Sequence, residues 1–132
     1  MRRKLILTLS LAAVAAAPFA AMAQGRSQAE AITRRHRLIE RFLTDVLGIP
    51  WDEVHEEAER LEHAMSPVLE ARMLAAIGDA KTCPHGHPIE VGTRIDAVPL
   101  ADVELGASVR VVRFENEAED LLHYLMATGI EP

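Results

Sequence analysis

Apolar residues recur every three or four positions between Ser27 and Leu47, at Ile32, Ile39, Phe42, Leu43, Val46 and Leu47, and this period predicts an amphipathic helix that Gly48 stops. Pro50 is expected to open a second helix running to about Met65, in which Val54, Ala58, Leu61 and Met65 fall within about 60° of arc and form an apolar stripe. Ser66-Pro67 is a third start signal, with Ser66 as N-cap, Pro67 at the first helical position and Glu70 near the positive end of the dipole; Gly78 ends that helix. Residues 79–100 are punctuated by Gly and Pro and read as a connector. Ala107 to Phe114 has strand character, and Glu117 to Thr128 reads as a helix carrying Leu121, Leu122, Tyr124 and Leu125. The fold class expected is mainly α, a three-helix domain followed by a small incomplete α+β fragment, because one strand and one helix cannot close a sheet.

The polar positions of the same helices carry the chemistry. With His55 at zero and about 100° per residue, Glu59, Glu62 and His63 share its face, beside the apolar stripe. One helix earlier, His36 and Glu40 are four residues apart and stack on one side. Glu-rich helices with i,i+4 charges are ordinary solvated surfaces, and any one of these residues fits that reading. Six of them on two adjacent helices point to a divalent-metal site. Carboxylates with imidazoles form a hard to borderline donor set suited to Mn(II) or Fe(II), and other divalent transition metals such as Zn(II) would also bind. Cys83 is the only cysteine, so no internal disulfide forms. It could pair between chains or ligate metal with His85 and His87, although Pro84, Gly86 and Pro88 make a tight turn the simpler reading.

Composition narrows the function. A hydrophobic content of 49% is ample for a core, whereas 4% aromatic residues disfavours base-stacking platforms and sugar clefts. Residues 24–132 hold 11 basic and 20 acidic side chains, a balance of −9 that repels phosphate backbones and attracts cations. The cluster Arg34, Arg35 and Arg37 could touch phosphate but more often solvates a helix surface. At the N-terminus, Arg2-Arg3-Lys4, the apolar run from Leu5 through Ala20 and Ala21-Met22-Ala23 have the three parts of a secretory signal, which predicts export, cleavage before Gln24 and no membrane association afterwards.

The segment Gly25 to Pro88, and especially Arg34-Arg-His-Arg-Leu-Ile-Glu-Arg-Phe-Leu43, Val54-His-Glu-Glu-Ala58, Leu61-Glu-His63 and Cys83-Pro-His-Gly86, resembles the central region of the diphtheria toxin repressor and manganese transport regulator family. Leu100 to Pro132 more weakly resembles the opening of the SH3-like domain that follows in many members. The resemblance implies metal-binding and dimerisation helices that take Mn(II) or Fe(II). It implies His36, Glu59, Glu62 and His63 as main ligands, with Glu40 and His55 joining His36 at an ancillary site. Glu59, where the iron-responsive branch has Cys, resembles the manganese-responsive branch. The chain departs from the pattern at Glu90, where Pro is common, and in having the signal-like segment where the family places its winged helix-turn-helix.

The expected organisation is therefore a signal-like segment at 1–23, a helical metal-binding and dimerisation domain at 24–90, and a connector with a partial SH3-like domain at 91–132. The expected function is a Mn/Fe-binding homodimerisation module, able to pair with an intact family regulator and unable to bind DNA alone. An exported ion buffer or carrier built from the same helices is the alternative, with cytoplasmic location as the alternative to export. An enzyme is not expected, since His55-Glu56-x-x-Glu59 lacks the second His of a zinc protease and no nucleophile has a recognisable setting.

Overall fold

A computed structural model of the chain describes residues 12–132, with residues 12–20 as backbone only. Four α-helices and one short 3-10 turn follow one another: α1 (Ala12–Leu47), α2 (Val54–Glu62), α3 (Pro67–Ala76), the turn Leu100–Asp102, and α4 (Glu119–Thr128). The chain divides into two units, residues 1–30 and 31–132. In the first, the described backbone is helical and the side chains of 21–30 are exposed. Arg2, Arg3, Lys4 and Leu5 to Leu11 of the signal-like segment lie outside the described residues. Among the described residues no helix is long and apolar enough to cross a membrane.

The second unit is built around one core. Leu38, Ile39 and Leu43 of α1 meet Val54 and Ala58 of α2, Met65, Met73 and Ile77 around α3, and Ile89 beyond it. Local signals set the helix ends. Gly48 takes φ +71°, a left-handed conformation open to glycine, and lets its own N–H and that of Ile49 close on the carbonyls of Thr44 and Leu43 at 3.2 and 3.1 Å. The Ser66 side chain accepts from Leu69 N at 3.2 Å, and Pro67 stands at the first helical position.

Three expectations are corrected. The second helix starts at Val54 and not at Pro50, because residues 51–53 form a turn closed by Glu53 N on the Pro50 carbonyl at 3.0 Å. Its buried arc runs through Val54, Ala58 and Glu62, while Leu61 is 40% exposed. On α1, Ile39 is fully buried in the chain's own core with Phe42 packed against it, as its apolar period predicts, and Val46 and Leu47 are exposed. The fold is mainly α, as expected, but the tail provides a helix without the strand expected at 107–114: among the described residues nothing runs beside that segment to form a ladder. That segment instead touches the core through buried Phe114, which packs on Trp51 with ring centroids 5.6 Å apart.

Candidate metal centre

Helix α1 supplies His36 and Glu40 one turn apart, and α2 supplies His55 at its second position, so the two helices face each other across these three side chains. Glu40 is 0% exposed and lies at the centre. Its Oε1 is 2.9 Å from His36 Nε2, 3.2 Å from His55 Nδ1 and 3.4 Å from His85 Nδ1. The rings of His36 and His55 meet edge to face, with nitrogens 3.1 Å apart. Glu117, just before α4, completes the group with Oε2 3.3 Å from His55 Nδ1. His36, Glu40, His55 and Glu117 each offer one ligand atom, all within 4.8 Å of one another.

All six predicted residues lie in one run of contacts, but they are not equally enclosed. Glu62 bridges outward, with Oε2 2.8 Å from His36 Nδ1 and Oε1 3.1 Å from His63 Nε2. His63 caps α2 and is 70% exposed at its side chain, and Glu59 is 63% exposed with Oε1 3.5 Å from His55 Nε2. The tight group therefore contains His36 with the residues expected to be ancillary, Glu40 and His55, while Glu59 and Glu62 line a cavity of about 430 Å³ together with His36, His55 and Glu117, and His63 stands outside that lining.

The turn at Cys83 forms as expected, with Cys83 N on the His87 carbonyl at 2.8 Å and Gly86 N on the Cys83 carbonyl at 3.0 Å. It also brings Cys83 and His85 against Glu40, as a second buried group whose ligand atoms lie within 4.8 Å of one another. The His85 tautomer is fixed by chemistry: Nε2 donates to the Trp51 carbonyl at 2.7 Å, so in the neutral ring Nδ1 carries the lone pair. That nitrogen has no well-aligned hydrogen bond and faces Glu40 at 3.4 Å and Glu117 at 3.8 Å. Glu40 Oε2 is also buried without a partner. A lone pair directed at two carboxylates is stable only with a proton or a cation between them, and a histidine whose other nitrogen donates to a carbonyl is the arrangement that metal-binding imidazoles use. The residues fit a divalent metal.

Proton affinities show the same tension. Burial opposes charging His36, but the carboxylates of Glu40 and Glu62 outweigh it and push the ring up to about 9. Burial likewise opposes ionising Glu40, and three imidazoles hold it far below the usual carboxylate range. The hydrogen bond with Glu40 raises His55. Burial, followed by the nearby charge of Glu40, pushes the Cys83 thiol up, so it stays neutral unless a metal displaces its proton.

Around the centre, the arginines are structural. Arg34 pairs with Glu70 and, at 2.9 Å, with Glu90, and Arg35 reaches Glu70 at 3.1 Å. Arg37 donates to the Pro88 carbonyl at 2.8 Å, and Arg41 to the carbonyls of Thr82 and Cys83 at 2.7 and 3.1 Å, which pins the turn to α1. Glu117 could not be assigned from sequence, because nothing local marks it. His85 and His87 carried a signal in their spacing from Cys83.

Residues 22–90 match the family described as iron dependent repressor, metal binding and dimerisation domain. The iron-dependent repressor IdeR of Mycobacterium leprae is 38% identical over 125 residues, covering 83% of this chain and 54% of that protein. The diphtheria toxin repressor of Corynebacterium jeikeium is 49% identical over 67 residues, 51% of this chain and 28% of that protein. A manganese-dependent transcriptional repressor in complex with manganese superimposes with a TM-score of 0.73 at 43% identity, over 81% of this chain and 53% of that one. ScaR with bound Zn2+ gives a TM-score of 0.67 at 33% identity, over 79% of this chain and 53% of that one. The chain spans about half the length, or less, of these relatives.

Proposed function

The chain belongs to the iron-dependent repressor family and carries its metal-binding and dimerisation domain, and on that premise we propose that it binds Mn(II) or Fe(II) between α1 and α2 as a homodimer. That family consists of metal-dependent repressors and not of enzymes. The observation that carries the reading is the convergence of His36, Glu40, His55 and Glu117 around a buried carboxylate with an unpartnered oxygen. These four form the inner position. Glu59, Glu62 and His63, with His36 at the junction, form an outer one that completes its shell from solvent. Nitrogen and oxygen donors favour Mn(II) or Fe(II), and Cys83 behind Glu40 adds tolerance for softer divalent ions.

Exposed Val46 and Leu47 at the end of α1 and Val68, Leu69 and Leu74 on α3 offer apolar area to a second copy of the chain. Pairing with a longer family regulator would use the same area. With a balance of −9 beyond residue 23, these residues read no DNA by themselves, and a mobility shift at physiological salt should be negative. The repressor reading places the chain in the cytoplasm. A mature chain beginning at Gln24 and recovered from the periplasm would replace it with the exported ion buffer that the N-terminal pattern suggests.

Calorimetric titration of the chain with Mn(II), compared with His36→Ala, tests the proposal. His36 touches both positions, so its loss should abolish measurable heat; equal heats would overturn the site.

A further inference from the structure

Three consecutive residues of the turn after Cys83 hold the segment that brings Glu117 to the centre. The His85 carbonyl accepts from Phe114 N at 3.0 Å. Gly86, at φ +90°, lies so close beneath the segment that a Cβ would stand 2.0 Å from the Val112 carbonyl oxygen and 2.7 Å from Arg113 Cα, both backbone atoms that cannot swing away. The His87 ring then meets the Glu117 side chain, with Nε2 3.0 Å from Oε1.

We infer that His87 is a positioning residue that turns the Glu117 carboxylate toward His36, Glu40 and His55, on a segment that only glycine at position 86 allows to dock. Carboxylate oxygens only accept, so His87 Nε2 carries the hydrogen and engages Oε1. Oε2 is thereby left facing His55 at 3.3 Å. A glutamate has several free torsions, and fixing one oxygen in advance removes ordering entropy that binding would otherwise spend. His87 itself stands outside the four converging ligands, so it acts through Glu117 and not on the ion. Outer partners of this kind change metal affinity by about 10–100-fold.

The inference rests on the metal reading above, and the experiment separates the two. Mn(II) affinity is measured by calorimetry on the full chain for the wild type, Glu117→Gln, His87→Ala, His87→Gln and the double variant Glu117→Gln/His87→Ala. His87→Ala should weaken binding on the order of 10-fold, and His87→Gln, whose amide can donate, should recover most of it. The double variant should bind no more weakly than Glu117→Gln alone. Gly86→Ala should mimic the loss of Glu117 and shift the emission of Trp51 to the red as Phe114 lifts away, whereas His87→Ala should leave that emission unchanged. Wild-type affinity in His87→Ala, or losses that add in full, overturn the positioning role while the metal site stands. Undiminished affinity in Glu117→Gln overturns it too. Failure of the wild type to bind Mn(II) removes the metal reading and this inference together.

Discussion

The inner and outer halves of the ligand cluster use the same residue types, and they differ in what surrounds them. Glu40 is enclosed by three imidazoles, whereas Glu59 and His63 stand largely in water at the open edge of α2. The inner half is assembled before any ion arrives, its charges balanced by protons. In the outer half Glu62 is already held by His36, and on the reading proposed above Glu59 and His63 would have to leave water to close on an ion. On that reading similar donors would serve as a preorganised chelate in one place and as a loose rim in the other, and burial makes the difference.

The strongest way to break this comparison is to remove its centre. Glu40→Ala should abolish Mn(II) binding and, by leaving buried imidazoles without their counter-charge, destabilise the metal-free protein by about 3–5 kcal/mol in urea unfolding. A stable, metal-competent Glu40→Ala variant would show that the inner half is not organised around that carboxylate. Next in size is the difference between the halves: His55→Ala should weaken Mn(II) binding more than His63→Ala does, and the reverse order in calorimetry would make the rim the principal site.

The pH dependence of the metal-free protein is a smaller effect with a definite sign. His36 is raised from 6.5 to about 9, so its contribution is complete below 6.5 and is lost as pH rises through about 9. Glu40 is lowered from 4.5, so its contribution is present above 4.5 and is lost on acidification below it. Thermal unfolding without metal should therefore be most favourable to the fold between about 4.5 and 6.5, and saturating Mn(II) should remove the alkaline loss by replacing the proton. Stability that rises from pH 6.5 to 9 without metal would contradict the His36 assignment. The smallest effect lies away from the cluster: Ser66→Ala should cost about 1 kcal/mol through the lost cap and leave Mn(II) affinity unchanged.

What could be read from the sequence followed the range of the interactions responsible. The start of α3 is written in adjacent residues, Ser66 and Pro67, and the end of α1 in Gly48. Angular counting alone set His55, Glu59, Glu62 and His63 on one face of α2, of which only His55 joins the tight group. The boundary of that face was not legible, because the bond from Glu62 to His36 turns the buried arc toward the ligand side and leaves Leu61 outside. The alternation at 107–114 suggested a strand, since pattern reports which faces differ and not what they meet. Glu117 was invisible for a related reason: its approach depends on the bare backbone of Gly86, far away in the chain.

The arginine clamps have a mechanical consequence. Arg37 and Arg41 each follow a ligand by one residue and hold the turn at Thr82–Pro88 to the same helix, without any need of an ion. Helix and turn thus form one body, and on the reading proposed above an ion shared by Glu40 and Glu117 would act as a cross-link that closes the long stretch of chain between them. Loop-closure entropy grows only slowly with length, so such a cross-link restrains a long segment at little more cost than a short one. In polymer terms, occupancy of the proposed site would add a tether to a tail that Phe114 N already fastens to the His85 carbonyl.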